Sequence, residues 1–331
     1  MINYNRFRYL SLAGAILALC VVVLGAYVRL SDAGLGCPDW PGCYGALTVP
    51  QSEVAIEKAQ AIFPHSTIEA GKAWKEMAHR YLAGSLGLVV LALFILGWRS
   101  RQHIRVAPLL PTVLLLIIAF QAALGMWTVT MLLKPAIVSA HLIGGMTTLA
   151  LLTWIAYRHW STNDALLAIT PKLKLAIRGA IVVLLAQVFL GGWTSTNYAA
   201  LACTDFPTCH GVWVPEMDFK DAFHLVRELG QSANGGNLTL SALTAIQWVH
   251  RIGALITFAY LGSLALLLIK IPAFKRIALL LALVLIAQVS IGIANLILQL
   301  PLALAVAHNL GAALLVIITV VINSKITATT H

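Results

Sequence analysis

The stretch Leu24-Gly25 through Cys37-Pro38-Asp39-Trp40-Pro41-Gly42-Cys43-Tyr44-Gly45 returns later in the chain. It reappears as Leu190-Gly191 through Cys203-Thr204-Asp205-Phe206-Pro207-Thr208-Cys209-His210-Gly211, at a constant separation of 166 positions and without a gap. Self-similarity at a fixed distance marks a repeated structural unit and is sought before any local feature. Working outward, His79-Arg80 reappears as His250-Arg251, and Gln121 and Gly125 as Gln288 and Gly292. Pro135, His141 and Gly144 reappear as Pro301, His308 and Gly311. The repeat therefore divides the chain into an N-terminal half, 1–160, and a C-terminal half, 161–331.

The solvent of this duplicated unit follows from its composition. Of the 331 residues, 60% are hydrophobic and 10% charged, and the mean hydropathy is +0.88. Soluble domains carry about 25% charged residues. Apolar runs long enough to span a bilayer, ~20 residues, fall at 10–30, 78–98, 108–131, 136–157, 174–197, 244–269, 274–298 and 302–323. The first exceeds a secretory h-region and has no small-residue cleavage site, so it reads as an uncleaved anchor. The expected fold is an all-α integral membrane protein of eight transmembrane helices. Four spans per half return the chain to the same side, so the two four-helix-bundle repeats are parallel, related by a pseudo-twofold axis along the membrane normal.

The formal charge of +10 reports topology rather than a nucleic-acid partner. With the N-terminus inside, Arg6, Arg8, Arg99, Arg101, Arg105, Arg158, Lys172, Lys174, Arg178, Lys270, Lys275, Arg276 and Lys325 all fall in cytoplasmic tails and short loops. Of the acids, only Asp164 joins them. That is the positive-inside pattern, and it places both termini in the cytoplasm. The cysteine pairs then lie outside the membrane, where oxidation favours disulfides Cys37–Cys43 and Cys203–Cys209. Free thiols and a shared metal site are the alternatives. Cys20, alone in the first span, reads as a packing residue.

Ionisable groups inside spans are rare and usually functional. His65, His210 and His224 fall in outer loops, His103 and His159 near the inner surface and His331 at the tail, all read as solvated. His79, His141, His250 and His308 are the repeat-related ones and lie in apolar helices. One such histidine alone reads as a hydrogen-bonded packing residue. Four of them, in the same two-helix arrangement twice, point to ligation. Zinc would need further protein ligands that the helices do not offer. A haem needs two axial imidazoles from facing helices and room for a flat ring. Ala83, Gly144, Gly145, Ala254, Gly311 and Ala312 lie one turn from the histidines and would leave that room, although small residues also serve close helix packing. All four histidines fall near the outer ends of their helices. Arg80 and Arg251 are candidates to pair with haem propionates, with interfacial snorkelling as the alternative.

The halves differ at one telling position. Glu76 precedes His79 by three residues, whereas Gln247 precedes His250. A carboxylate beside an axial ligand can exchange a proton or stabilise developing charge; an amide cannot. The first half therefore reads as reactive and the second as inert, unless Glu76 is a surface acid.

With Glu76-Met77-Ala78-His79-Arg80 and the Cys37 to Cys43 loop, the chain resembles the haem A synthases over essentially its whole length. The resemblance implies a permanent haem b on His250 and His308 in the C-terminal half. It implies that His79 and His141 bind the substrate, haem O, with Glu76 catalytic. A porphyrin-ring methyl would be oxidised to a formyl group, giving haem A for terminal oxidases in a bacterial cell (inner) membrane. The partners expected are a haem O synthase in the same membrane, an electron carrier of unknown kind and the lipid bilayer, with a homo-oligomer left open. The rival is a two-haem cytochrome passing electrons from quinol, which would need no Glu76. A midplane transporter fits less well, because no broken helices mark such a site.

Overall fold

A computed structural model describes residues 2–104, 106–160, 169–232 and 235–327. Arg105, Asp164 and His331, named above, lie outside them. Eight long helices dominate: α1 (Ile2–Leu30), α2 (Ala70–Arg99), α3 (Leu109–Thr130), α4 (Pro135–Trp160), α5 (Pro171–Thr196), α6 (Leu240–Ile269), α7 (Lys275–Ile297) and α8 (Leu302–Lys325). All eight are long and apolar enough to cross a membrane. No β-strand occurs among the described residues, and the chain is a multi-pass helical membrane protein. The spans expected from hydropathy match the helices within a few residues, except at α1 and α2, which begin well before their apolar runs. Lys72, Lys75, Glu76 and Arg80 depress the hydropathy of the first turns of α2, yet those turns are helical.

The helices are apolar on every side, as membrane-embedded helices are. Leu88, Leu116, Val182, Leu255 and Leu283 are exposed on the outer faces. Cys20 is also exposed on α1, so it is not the packing residue expected from its position. The packed pairs are α1 with α2, α2 with α3, α3 with α4 and α4 with α1; then α5 with α6, α6 with α7, α7 with α8 and α8 with α5. Each half is thus a ring of four helices, in which α2 and α4, or α6 and α8, stand on a diagonal. The rings meet through α4 with α8, α1 with α8 and α4 with α5. Accordingly α8 is the most enclosed helix, with 50% of its apolar window buried.

Local backbone details recur at the repeat spacing. α3 closes with Leu133 N donating to Thr128 O at 2.8 Å, and α7 with Leu300 N donating to Asn295 O at 2.6 Å. Both are six-to-one closures of the Schellman kind, with Leu132, Leu133, Gln299 and Leu300 all at positive φ. Thr170 and Thr239 cap α5 and α6 by accepting from Leu173 N and Ala242 N, which satisfies amides that the first turn leaves free.

His159 departs from expectation. It is 2% exposed, its ring 4.8 Å from that of Phe7 and its Nδ1 2.8 Å from Ile155 O. The N-terminal turns of α1 cover it, so proximity to the inner surface did not mean solvation.

Candidate functional site

The two cysteine loops are built around one aspartate each. Asp39 accepts from Tyr44 N at 2.6 Å and Gly45 N at 2.8 Å. Asp205 accepts from His210 N at 2.7 Å and Gly211 N at 3.0 Å, and also from the Thr208 hydroxyl at 2.5 Å. These contacts fold each Cys-to-Cys segment into the same tight turn, in which Gly45 and Gly211 take positive φ, open to glycine without penalty. The sulfurs stand at bonding distance, 2.03 Å for Cys37–Cys43 and 2.06 Å for Cys203–Cys209. His210 lies beside the second pair, but with both sulfurs paired no thiolate remains there to share a metal. The donors around Asp205, Thr208 first and then Gly211, pull its carboxyl down to about 2.

Each loop is clamped to the helix that carries the first histidine of its half. Glu76, 4% exposed, accepts from Cys37 N through Oε2 at 2.9 Å and forms an ion pair with Arg80 through Oε1. Arg80 also donates to Asp39 O at 2.8 Å and to Gly42 O. Gln247, 5% exposed, takes the same place, accepting from Cys203 N and donating through Nε2 to Ala200 O at 2.6 Å. Arg251 donates to Thr208 O at 2.8 Å and Asp205 O at 3.0 Å. Glu76 is therefore not a surface acid. Removing Arg80 would leave it buried and unpaired, at a typical cost of ~3–5 kcal/mol. Arg80 Nη1 and the Arg251 guanidinium are directed at loop carbonyls and Arg80 Nη2 at Glu76, so this geometry gives propionate pairing no separate support.

One helical turn further in lie the histidines. Each imidazole rests against a glycine of a neighbouring helix. A Cβ on Gly25 of α1 would fall 2.8 Å from His79 Cε1 of α2, and one on Gly125 of α3 would fall 3.5 Å from His141 Cε1 of α4. In the second ring the distances are 3.3 Å from Gly191 of α5 to His250 and 2.9 Å from Gly292 of α7 to His308. These four glycines belong to the repeat, but sequence reasoning gave them no role. Their missing side chains let the rings lie where they do. His79 and His141 stand within electrostatic reach of each other, as do His250 and His308, each pair across a ring diagonal.

Space beside the rings is less open than the small residues suggested. The Gln121 amide fills the position a side chain on Gly144 would take, and Gln288 does the same at Gly311. The buried Nδ1 atoms of His79, His141 and His308 have no hydrogen-bond partner. That of His250 has Gln187 Nε2 at 3.1 Å.

Paired helical rings with diagonal histidines beneath braced disulfide loops define a polytopic membrane protein whose distinctive polar groups converge on two interior sites. Residues 8–320 match the model of the cytochrome oxidase assembly protein family. The chain is 46% identical over 310 residues to the heme A synthase of Shewanella oneidensis, covering 93% of each. Against the heme A synthase of Mesorhizobium japonicum it is 31% identical, covering 90% of this chain and 84% of the relative. The heme A synthase of Azorhizobium caulinodans is 30% identical, with 92% and 89% covered. The chain belongs to this family, the haem A synthases among the cytochrome oxidase assembly proteins.

Proposed function

We propose that this protein oxidises a ring methyl of haem O to the formyl group of haem A. In this reading, residues 1–160 hold the substrate between His79 and His141, and residues 161–331 hold a resident haem b between His250 and His308. The observation that carries the division of labour is the exchange of Glu76 for Gln247 at matched, buried positions that share one backbone partner, the N–H of the first loop cysteine. Because the amide accepts the loop N–H as the carboxylate does, the loop clamp alone does not call for a carboxylate in the first half.

The residues fit the group they are asked to hold. Four imidazoles packed on glycines of facing helices are a donor set that would suit haem iron; with Nε2 as the ligating nitrogen, Gln288 Nε2, 3.4 Å from His308 Nε2, would have to give way there. Bound between them, haem supplies one-electron chemistry at its iron. The chain's own residues do the rest. His79 and His141 orient the substrate, and the braced Cys37–Cys43 loop covers the outer end of that half. Glu76, one turn from His79, holds or accepts a proton, with Arg80 as its ion-pair partner. Oxidation releases electrons, so an electron carrier must serve the site, and a haem O synthase in the same membrane is the natural supplier.

The topology proposed is parallel halves with both termini in the cytoplasm and both sites toward the outer face. The positive-inside charge distribution supports the orientation. The pseudo-twofold is supported by residues that touch their own counterparts, since that happens only near an axis. Arg29 Nη2 donates to Ser195 O at 3.1 Å, and Tyr198 OH to Asp32 at 3.3 Å, each pair 166 positions apart.

Extraction of the haems from purified protein tests the reading. Haem b with smaller amounts of haem O and haem A is expected; haem b alone at two per chain would favour the electron-transfer cytochrome.

A further inference from the structure

Among the four interior histidines, His250 is set apart by a side-chain partner on Nδ1. Gln187 of α5 places its amide nitrogen 3.1 Å from His250 Nδ1 and 3.1 Å from His250 O. Its carbonyl oxygen is buried and has no partner. The position 166 residues earlier on α1 is Val21, which offers His79 its backbone carbonyl but no side-chain hydrogen bond, and His79 Nδ1 has no partner. Gly253 makes the approach feasible: a side chain there would collide with the Gln187 amide, and the matching residue of α2 is Leu82. Two substitutions, at positions related by the repeat, thus admit the amide in one half and exclude it from the other.

We propose that Gln187 is a positioning residue that makes the His250 site a retaining one, while its absence beside His79 leaves that site exchangeable. The proposal rests on the reading that His250 and His308 hold a resident haem. A histidine that binds metal through Nε2 carries its proton on Nδ1, and an acceptor there fixes the ring and strengthens it as a donor. Half a turn of the Gln187 amide brings its unpartnered oxygen to that proton, in exchange for the amide's present donation to His250 O. His250 O keeps its helical donor from the following turn. A ring held in orientation before the ligand arrives loses less freedom on binding, which slows release. A stronger imidazole donor also favours the ferric state and lowers the reduction potential.

The test uses the full-length protein in detergent, with wild type, Gln187→Val, Gln187→Glu and His250→Ala. Two quantities are read: the rate at which resident haem transfers to excess apomyoglobin, and the midpoint potential. Gln187→Val is expected to release haem at least ~10-fold faster and to shift the potential upward. Gln187→Glu, a stronger acceptor, is expected to shift it downward. A packing role alone would not give opposite signs. Unchanged release and potential in Gln187→Val, or shifts of the same sign in both variants, would overturn the proposal. Undiminished haem in His250→Ala would instead overturn the ligand assignment beneath it, so the two failures are distinguishable. Should Gln187→Val not accumulate in the membrane, Gln187→Glu and Gln187→Met supply the same pair of signs.

Discussion

Glu76 Oε2 accepts the backbone N–H of Cys37 at 2.9 Å, so the acid proposed for chemistry is also the clamp on the disulfide loop above it. In the second half, Gln247 performs that clamping for Cys203. A substitution at Glu76 can therefore separate the two roles, provided it keeps an acceptor for the Cys37 amide. Glutamine does; alanine does not.

The glycine contacts predict steric sensitivity where sequence alone would predict none. Gly25→Ala places a methyl 2.8 Å from His79 Cε1, and Gly292→Ala places one 2.9 Å from His308 Cε1. Overpacking of this kind costs typically 1–3 kcal/mol, and here the imidazole must move. Gly292→Ala is expected to weaken the low-spin haem b spectrum, and Gly25→Ala to lower haem A output while leaving that spectrum intact. Absorption spectra and extracted haem ratios of the two variants check this.

For the resident cofactor, His308→Ala or His250→Ala should abolish the six-coordinate low-spin haem b signal, because two imidazoles are the strong-field ligands in that half. Expression in the membrane must be verified alongside. A full low-spin spectrum in His308→Ala would remove the assignment.

Thiol labelling of the unreduced protein should tag none of the four loop cysteines, since each is paired; tagging of all four would contradict the bridges. After reduction and unfolding all five of the chain's cysteines should react. By loop-closure entropy a bridge with a sequence separation of 6 contributes about 2 kcal/mol. Cys203→Ser is thus expected to lower thermal stability without removing the haem-binding histidines.

The loops also predict an acid response. Asp205 is held at about 2 in the folded loop, first by the Thr208 hydroxyl, against an ordinary value of 3.8. A carboxyl depressed on folding contributes stability that is present above its unfolded value and lost as pH falls through the folded one. The window therefore runs from about 4 down to about 2. Wild type should lose loop protection across it, measured by hydrogen exchange at Gly211 and His210, and Asp205→Asn should show a flatter profile. Thr208→Val should move the loss to higher pH.

Much of this was legible in the sequence because the bilayer and the duplication both leave long-range signatures. Eight apolar runs and the internal repeat were enough to locate the helices, the cysteine pairs and the four histidines. The repeat also marked Gly25, Gly125, Gly191 and Gly292, but a matched glycine does not say what it faces, and their packing on imidazole needed coordinates. Gln187 escaped for the opposite reason. It is a mismatch with Val21, and comparison of repeats attends to what agrees. The loop contacts of Arg80 and Arg251 were not legible, because spacing does not show that the loop turns present several carbonyls to them. At α2, polar first turns hid a helix start, because hydropathy cannot see that Glu76 and Arg80 satisfy each other.

The most direct test of the central claim is the ratio of haem A to haem O plus hydroxylated intermediate in membranes supplied with haem O, normalised to protein. It is measured for wild type, Glu76→Gln and Gln247→Glu. Glu76→Gln keeps an acceptor for Cys37 N, so the fold and the resident haem b spectrum should persist. General acid–base roles are worth ~10²–10⁴ in rate, so haem A output should fall at least ~10-fold with precursors accumulating, while Gln247→Glu stays near wild type. Wild-type output from a folded, haem b-loaded Glu76→Gln protein would contradict the account, leaving the carboxylate as a clamp and the first half without its proposed catalytic group.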